Sequence, residues 1–439
     1  MDSLGENPGN IAAGPIVAPG AVLKSLLGVI EKTFPVPGRF RSSLPRDVAE
    51  LSRLLTSARS EREDGYLNRP NLLSAYLRYF LPWNVFRLYR LFSLVSGLNE
   101  TGCLSQENGD LPEGSAGPFP GLTGGDAVTD LGSGPLTLPV ALWLFRPELR
   151  KIDLEFRCVD HTGSVLEAGR KLFAALEAAE SESFRSAWKI RTIRDSINAP
   201  VRGEKAALVT AINVFNEVYR RGDPASSAQK ALKLLERSGE ASFFVMEPGI
   251  PESGAFITAL RDALLERGKR IAAPCTHEGP CPLPGVYERP GEHGRKNVGP
   301  GRGKTKWCHF AFDTAEAPAE LHKLSAAAGI PKERATLSFL LAGKAGPGDH
   351  PKIRVISDAF PVPGGRGRYG CGKKGPILLK GSRAEIERMT PGTAMEYEEN
   401  RQAEFDAKTG ALIVNVGSVD LSKGGVSNPT ANEAALLHV

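Results

Sequence analysis

The sequence lacks the long apolar runs and signal segments that mark membrane and secreted proteins. Nowhere do about eighteen apolar residues follow one another, which argues against a transmembrane helix. Asp2 and Glu6 precede any basic residue at the N-terminus, so neither a secretory signal nor an Arg-rich presequence is indicated. We therefore expect residues 1–20 to form a disordered leader on a cytoplasmic protein.

Cysteine is scarce, with six among 439 residues, and no internal repeat is visible. Without a secretory signal, so few thiols are not expected to build a disulfide framework. The content of 41% hydrophobic and 24% charged residues is typical of a soluble globular protein. A chain of this length predicts two or three domains.

Apolar residues at helical spacing predict a helical region over residues 21–108. An apolar stripe that begins at Leu77 is expected to be buried, whereas the neighbouring Arg78 and Arg87 are expected on an exposed face. The segment 109–125 is rich in Pro and Gly, which predicts a linker.

Strand and helix patterns alternate over residues 126–273, which predicts an α/β fold with a doubly wound, Rossmann-like parallel sheet. A Cys-, Pro- and Gly-rich region with little periodicity follows at 274–334. Short apolar segments over 335–418 predict a small β domain, and residues 419–439 a loose tail. The candidate strands of the parallel sheet are 127–132, 154–160, 207–213 and 241–248.

A nucleotide site is predicted where the first strand gives way to a helix. Asp130, Gly132 and Gly134 form a D-x-G-x-G motif there, and glycines let backbone N–H groups approach a ligand. Asp160 closes the second strand, where a carboxylate can accept both ribose hydroxyls of an adenosyl group. Because Pro135 follows the second glycine, the motif fits class I S-adenosylmethionine methyltransferases better than a dinucleotide site. The alternative is that the glycines only make a tight turn.

Four cysteines lie in Gly- and Pro-rich surroundings that suit loops around a metal: Cys275, Cys281, Cys308 and Cys371. Four thiolates would satisfy either tetrahedral zinc or a 4Fe–4S cluster. The C-x5-C spacing of the first pair is wider than the usual zinc knuckle and favours the cluster. Cys158, inside an apolar strand, is expected to be a buried core thiol.

Positive charge is concentrated in the C-terminal half. Residues 284–306 carry six basic and two acidic side chains, and residues 352–380 carry seven basic side chains and one acid, although the whole protein has a net charge of only +5. This asymmetry favours nucleic acid as a partner, with a solvated loop face as the alternative. The candidate RNA-binding residues are Arg302, Lys304, Lys306, Arg366, Arg368, Lys373 and Lys374.

Six segments carry a family resemblance: DLGSGPLTLPVAL (130–142), INVFNEV (212–218), FFVMEPGIPESG (243–254), APCTHEGPCPL (273–283), KWCHF (306–310) and RVISDAF…GRYGCGKKGP (354–376). Together they resemble the methyltransferase-like small ribosomal subunit assembly proteins of mitochondria and many bacteria. The resemblance implies a class I methyltransferase fold coupled to a four-cysteine iron–sulfur site. It also implies the small ribosomal subunit and its rRNA as partners, with no membrane and no obligate protein partner.

Carried over to this chain, the resemblance makes the four cysteines the ligands of a 4Fe–4S cluster, with zinc as the alternative. It places Asn213 near the transferable methyl group of S-adenosylmethionine, in a pocket that also contains the D-x-G-x-G motif and Asp160. Two functions follow. The first is an rRNA-binding assembly or translation factor that uses the methyltransferase fold as a scaffold, and the alternative is an active rRNA methyltransferase.

Overall fold

The computed structural model describes most of the chain between residues 18 and 418, so that most of the predicted leader (1–20) and linker (109–125) and the whole predicted tail (419–439) lie outside the described residues. The described residues are 18–58, 61, 63, 65–100, 122–180, 186–199, 203, 205–218, 222–283, 306–344, 346, 352–397 and 404–418.

Helices make up most of the described chain before residue 100, as the sequence predicts. Leu77, Leu81 and Val85 are buried on the predicted face. A π-helical turn, Tyr76–Phe80, connects two of the helices directly. The helices are α1 (Pro19–Thr33), α2 (Gly38–Arg41), α3 (Leu44–Leu55), α4 (Pro70–Ala75) and α5 (Leu81–Glu100).

Arg78 and Arg87, predicted on an exposed face, are turned inward instead. Arg78 is 7% exposed, and its guanidinium pairs with Glu31 at 3.0 Å. Arg87 donates through Nε to the carbonyl oxygen of Thr336 at 3.1 Å. The prediction was wrong because this helical segment is covered on two sides, by α1 and by a strand of the central sheet. A periodic pattern reveals the apolar side alone.

A mixed sheet forms the centre of the molecule. Its strands are β1 (Ala127–Leu131), β2 (Glu155–Asp160), β3 (Lys189–Arg194), β4 (Ala206–Ile212), β5 (Gly239–Pro248), β6 (Arg270–Ala273), β7 (Phe310–Asp313) and β8 (Arg334–Gly343). Their order is β3-β2-β1-β4-β5-β8-β6, with β7 also paired to β8. The neighbours from β3 to β5 pair in parallel, and β8 is antiparallel to β5, β6 and β7. An antiparallel strand inserted beside the fifth strand is the topology of class I methyltransferases, so the predicted fold class is confirmed.

Helices cover both faces of this sheet. They are α6 (Thr137–Phe145), α7 (Gly163–Ala178), α8 (Phe215–Val218), α9 (Pro224–Ser238), α10 (Pro251–Glu266) and α11 (Ala319–Ala327). Apolar side chains of α6 and α7 pack on one face together with the N-terminal helices, and those of α9 and α10 pack on the other. The carboxyl ends of the parallel strands lie together at one edge of the sheet, between the two layers of helices.

Three strands depart from the sequence prediction, and one of them is β7, which lies in the region 274–334 where little periodicity was seen. β3 was not among the candidate strands, because it lies at the sheet edge, is mostly exposed and alternates charged with other residues. β8 was expected to open the small β domain over 335–418, but it belongs to the central sheet. Its apolar residues mark it as a buried strand without specifying which sheet it joins.

A second sheet follows, with its own core that includes Ile353, Ile377 and Met395. Its strands are β9 (Lys352–Val355), β10 (Phe360–Val362), β11 (Gly365–Gly372), β12 (Gly375–Gly381), β13 (Ala394–Glu396) and β14 (Leu412–Asn415). They are arranged in the order β13-β9-β11-β12-β14, with β10 paired to β11. The short helix α12 (Arg383–Arg388) begins with a capping box at Ser382.

The predicted helical region is continuous with the methyltransferase-type domain. Leu23 of α1, Trp83 of α5 and Phe156 of β2 belong to one hydrophobic core. These helices are therefore part of the same folded unit. No helix in the described part of the chain is long and apolar enough to cross a membrane.

Candidate functional site

The D-x-G-x-G loop between β1 and α6 has a left-handed backbone at alternate residues. The φ angles are +66° at Gly132, +56° at Gly134 and +58° at Leu136. A Cβ added to Gly132 would come within 2.5 Å of Cγ2 of Val214. Glycine is therefore required there by conformation and by close packing alike.

Asp130 stabilises this loop through buried hydrogen bonds. It is 1% exposed, and its carboxylate accepts hydrogen bonds from the hydroxyls of Ser133 and Thr210, both at 2.6 Å. Burial raises the pKa of Asp130 to about 6, although the hydrogen bonds from the two hydroxyls act in the opposite direction and lower it. The predicted cofactor-binding role of Asp130 is thus indirect in this structure, since its carboxylate is buried beneath the loop.

Asp160 ends β2 beside the same loop, as predicted. Its Oδ2 accepts from the backbone N–H of Gly134 at 3.0 Å, and its Oδ1 accepts from that of Thr162 at 2.8 Å. The side chain is 13% exposed. Each carboxylate oxygen has a further lone pair, so the group can hold the loop and still accept a ribose hydroxyl.

Asn213 follows β4 at the same edge and has a φ of +57°, which is uncommon for a residue with a side chain. Its Nδ2 approaches Oδ1 of Asn84 at 3.4 Å. The following turn is fixed by Glu247 of β5, whose carboxylate accepts from the N–H groups of Phe215 and Asn216 at 2.8 and 3.1 Å. Burial raises the pKa of Glu247 to about 8.

Two residues of the helical region lie at this site without having been predicted. Asn84 is 8% exposed and contacts Asn213, and Tyr76 points its hydroxyl toward Gly134. The polar Asn84 among buried apolar neighbours is a signal that could have identified the first. Nothing in the helical pattern distinguishes Tyr76.

The four predicted metal ligands come from three separate segments and line one cavity. Cys275 and Cys281 lie in the loop after β6, Cys308 precedes β7, and Cys371 is on β11. The cavity volume is about 20 Å³. The cavity therefore lies where the central sheet meets the small β sheet.

The thiols are close enough to influence one another electrostatically. Burial, together with the neighbouring cysteines, raises the pKa of Cys281 to about 11 and the pKa values of Cys308 and Cys371 well above their usual range. Arg261, which is 2% exposed, donates through Nε to Sγ of Cys275 at 3.3 Å. This guanidinium is a natural counter-charge for thiolates, and sequence reasoning did not single it out.

Four cysteine thiols are a donor set that either zinc or a 4Fe–4S cluster can use. Within the described residues, no three His, Cys, Asp or Glu side chains are grouped closely enough to hold a metal ion. A metal ion or a cluster at this cavity therefore stays a prediction. At the cavity, Oγ1 of Thr276 and Nδ1 of His277 are buried without a hydrogen-bond partner among the described residues. They could donate to the sulfides of such a group.

The seven predicted RNA-binding residues separate into different environments. Lys373 and Lys374 are exposed in the β11–β12 turn, and Lys306 is exposed with its ammonium 5.3 Å from the ring centre of Tyr369. Arg366 is half-buried. Arg302 and Lys304 lie outside the described residues.

Arg368 does not fit the predicted RNA-binding role. It is 8% exposed, and its Nε and Nη1 donate to the carbonyl oxygens of Ile386 and Ser357, both at 2.9 Å. The guanidinium therefore ties the small β sheet together and is not available to a phosphate. The sequence interpretation was wrong here because charge alone does not show the direction of a strand residue.

Comparison with known protein families gives one match. A family model described as "Mitochondrial small ribosomal subunit Rsm22" matches residues 126–361, slightly more than half of the chain. The match includes the D-x-G-x-G loop and three of the four cysteines. A search of curated proteins found no match.

Solved structures with a similar fold are methyltransferases. A Listeria monocytogenes protein described as a class I S-adenosylmethionine-dependent methyltransferase is 10% identical, with 74% of this chain and 88% of that one covered and a TM-score of 0.31. A SAM-dependent methyltransferase from Aquifex aeolicus is 13% identical over 34% and 76%, with a TM-score of 0.24. The 16S rRNA methylase RmtB is 13% identical over 57% and 86%, with a TM-score of 0.26. These identities are too low to transfer any activity.

Proposed function

This chain belongs to the Rsm22 family, and on that premise we propose that it is an rRNA-binding assembly or translation factor of the small ribosomal subunit. The observation that carries the proposal is the family match across the glycine loop and three of the four cysteines. In this role the methyltransferase fold binds S-adenosylmethionine, and a 4Fe–4S cluster joins the two sheets. The small subunit named in the family description is the proposed partner.

Binding of the methyl donor is supported by the loop and the two residues that flank it. The left-handed glycines let the chain turn tightly at the end of β1, and Asp160, which accepts from the N–H of Gly134, retains lone pairs for ribose hydroxyls. Asn213 follows β4, the strand that pairs with β1. When bound, the donor would supply a transferable methyl group. The protein's own contribution is to bind and orient it.

The 4Fe–4S cluster is supported by the four thiols and by Arg261. Deprotonated thiolates are needed to bind iron, and a buried guanidinium that already donates to Cys275 would offset part of their charge. We propose Cys275, Cys281, Cys308 and Cys371 as the four ligands, with zinc as the alternative metal. The cluster would be structural in its effect, because its ligands come from both sheets.

Contact with rRNA is proposed for the exposed lysines near the cysteine cavity: Lys306, Lys373 and Lys374. Arg366 and the residues 302 and 304 of the basic loop are further candidates. The cytoplasmic location inferred from the sequence does not agree with the word "mitochondrial" in the family description. We propose that the protein acts wherever its small subunit is assembled.

The decisive experiment combines sedimentation with methyl labelling. Protein purified without oxygen is incubated with immature small ribosomal subunits and methyl-labelled S-adenosylmethionine, and Asp160→Asn is the control variant. We expect co-sedimentation with the subunits and no label in the rRNA. Failure to co-sediment would overturn the proposal.

An active rRNA methyltransferase remains the second candidate, favoured by the position of Asn213, which follows β4, the strand that pairs with β1 before the glycine loop. Label in rRNA that depends on Asp160 would establish this activity, and mapping the labelled base would follow. The two functions share the fold and the donor pocket, so only transfer of the label separates them.

The cluster proposal predicts that Cys371→Ser loses iron and loosens the contact between the two sheets. Metal-binding energy is folding energy at a site whose ligands come from several segments. Iron and sulfide analysis measures the first effect, and hydrogen exchange at residues 274–283 measures the second. Cys158→Ala, which removes a buried thiol in β2 outside the cavity, should keep its iron. Loss of colour with unchanged exchange at the loop would contradict the structural role.

A further inference from the structure

The N-terminal helices lie across the edge of the sheet where the parallel strands end. Arg87 of α5 is hydrogen-bonded to Thr336 at the start of β8, and Arg90 forms an ion pair with Glu316 at 2.8 Å. The helices also share a hydrophobic core with the sheet. Their position over the glycine loop is therefore fixed by polar and apolar contacts on several sides.

Tyr76 is the residue of these helices nearest the glycine loop. It opens the π-helical turn, a local geometry often found at functional sites. A Cβ built on Gly134 would lie 3.7 Å from the Tyr76 hydroxyl oxygen, so that hydroxyl faces the loop directly. Burial raises the pKa of Tyr76, and the carboxylates of Glu217 and Asp160 raise it further. The hydroxyl therefore remains protonated and able to donate or accept a hydrogen bond.

Asn84 connects this hydroxyl to the end of β4. It is close enough to Tyr76 to lower the pKa of that hydroxyl, and its Oδ1 accepts from Arg87 at 2.7 Å and lies 3.4 Å from Nδ2 of Asn213. A row of three polar side chains, Tyr76, Asn84 and Asn213, therefore extends from the glycine loop to the residue that is proposed to lie near the methyl group. Such a network is retained in a buried position only when its members have partners.

We propose that Tyr76 and Asn84 bind the methyl donor and form the wall of its pocket beside the glycine loop, on the side of the N-terminal helices. The inference rests on the proposed binding of S-adenosylmethionine. The pocket is then completed by the helical region and does not belong to the central sheet alone.

The test measures binding of S-adenosylmethionine and S-adenosylhomocysteine by calorimetry to the full chain. Tyr76→Phe removes only the hydroxyl, and Tyr76→Ala removes the wall. Tyr79→Phe is the matched control, because its hydroxyl lies in the same π-helical turn but approaches the carbonyl oxygen of Ile330. Hydrogen exchange of residues 76–80 with and without S-adenosylhomocysteine provides a readout that is independent of activity.

We expect Tyr76→Phe to weaken binding about three- to tenfold, the loss that accompanies one hydrogen bond. Tyr76→Ala should weaken it further, and Tyr79→Phe should remain within about twofold of the wild type. Exchange at residues 76–80 should slow when the ligand binds. Equal or tighter binding by either Tyr76 variant, or unchanged exchange, would overturn the inference and leave donor binding intact. If the wild type binds neither ligand, donor binding itself is overturned, together with this inference.

Discussion

At the scale of single residues, the buried Glu247 is expected to make the stability of the protein depend on pH. Its folded-state pKa is raised to about 8 from an ordinary value of 4.5, chiefly because the side chain is removed from water. Between these values the folded state keeps a proton that the unfolded state has lost. By linkage, stability must therefore fall as pH rises through this window.

Glu247→Gln should remove this dependence, because an amide does not ionise. We expect the free energy of unfolding of the wild type, relative to that of Glu247→Gln, to fall between pH 5 and pH 8, by at most about 1.4 kcal/mol per pH unit. Urea unfolding at three pH values measures the difference. The variant also loses one acceptor for the N–H groups of the turn, which adds a constant offset. A difference that stays flat with pH would contradict the assignment.

At the scale of elements, β9 of the small sheet is fastened to the cysteine loop by Arg354. The side chain is 5% exposed, and its Nε donates to the carbonyl oxygen of Pro274 at 2.8 Å. Its Nη1 donates to the carbonyl oxygen of Gly392 at 2.7 Å. The guanidinium therefore links a strand of one sheet to the loop that follows β6 of the other.

Arg354→Met should lower the free energy of unfolding by about 2–3 kcal/mol, since it leaves buried carbonyl groups without their donor. Arg383→Met is the matched control, because that side chain is 79% exposed and makes an ion pair within α12. Its cost should be below about 0.5 kcal/mol. Equal effects of the two changes, measured by urea unfolding, would show that Arg354 does not hold the sheets together.

At the scale of the whole molecule, the basic surface should make RNA binding depend on salt. Replacing both Lys373 and Lys374 by Gln should lower the slope of log affinity against log salt by about one to two. Lys230 and Lys233, which are exposed on α9, provide a control pair that should leave the slope unchanged. Filter binding at several salt concentrations measures it. If both double variants had the same slope, the β11–β12 turn would not be part of the RNA-binding surface.

Sequence patterns predicted much of the fold and part of the site. The D-x-G-x-G motif and Asp160 lie together at the sheet edge because consecutive parallel strands end at the same edge. Lys373 is exposed as expected. By contrast, Arg368 of the same basic stretch is buried and satisfied by carbonyl groups. Its neighbours in the chain give no sign of this, because side-chain direction depends on which face of the sheet is covered.

The sequence by itself determined the central α/β class, the motif that turns β1 into α6, and the set of four cysteines, since these follow from local periodicity, glycine conformation and residue chemistry. Only the tertiary structure decided that β8 enters the central sheet, that the four thiols line one cavity, and that Tyr76 and Asn84 reach the glycine loop. The reason is physical. The hydrophobic effect has no preferred direction. An apolar pattern therefore indicates that a segment is buried, but it does not indicate which partner the segment packs against.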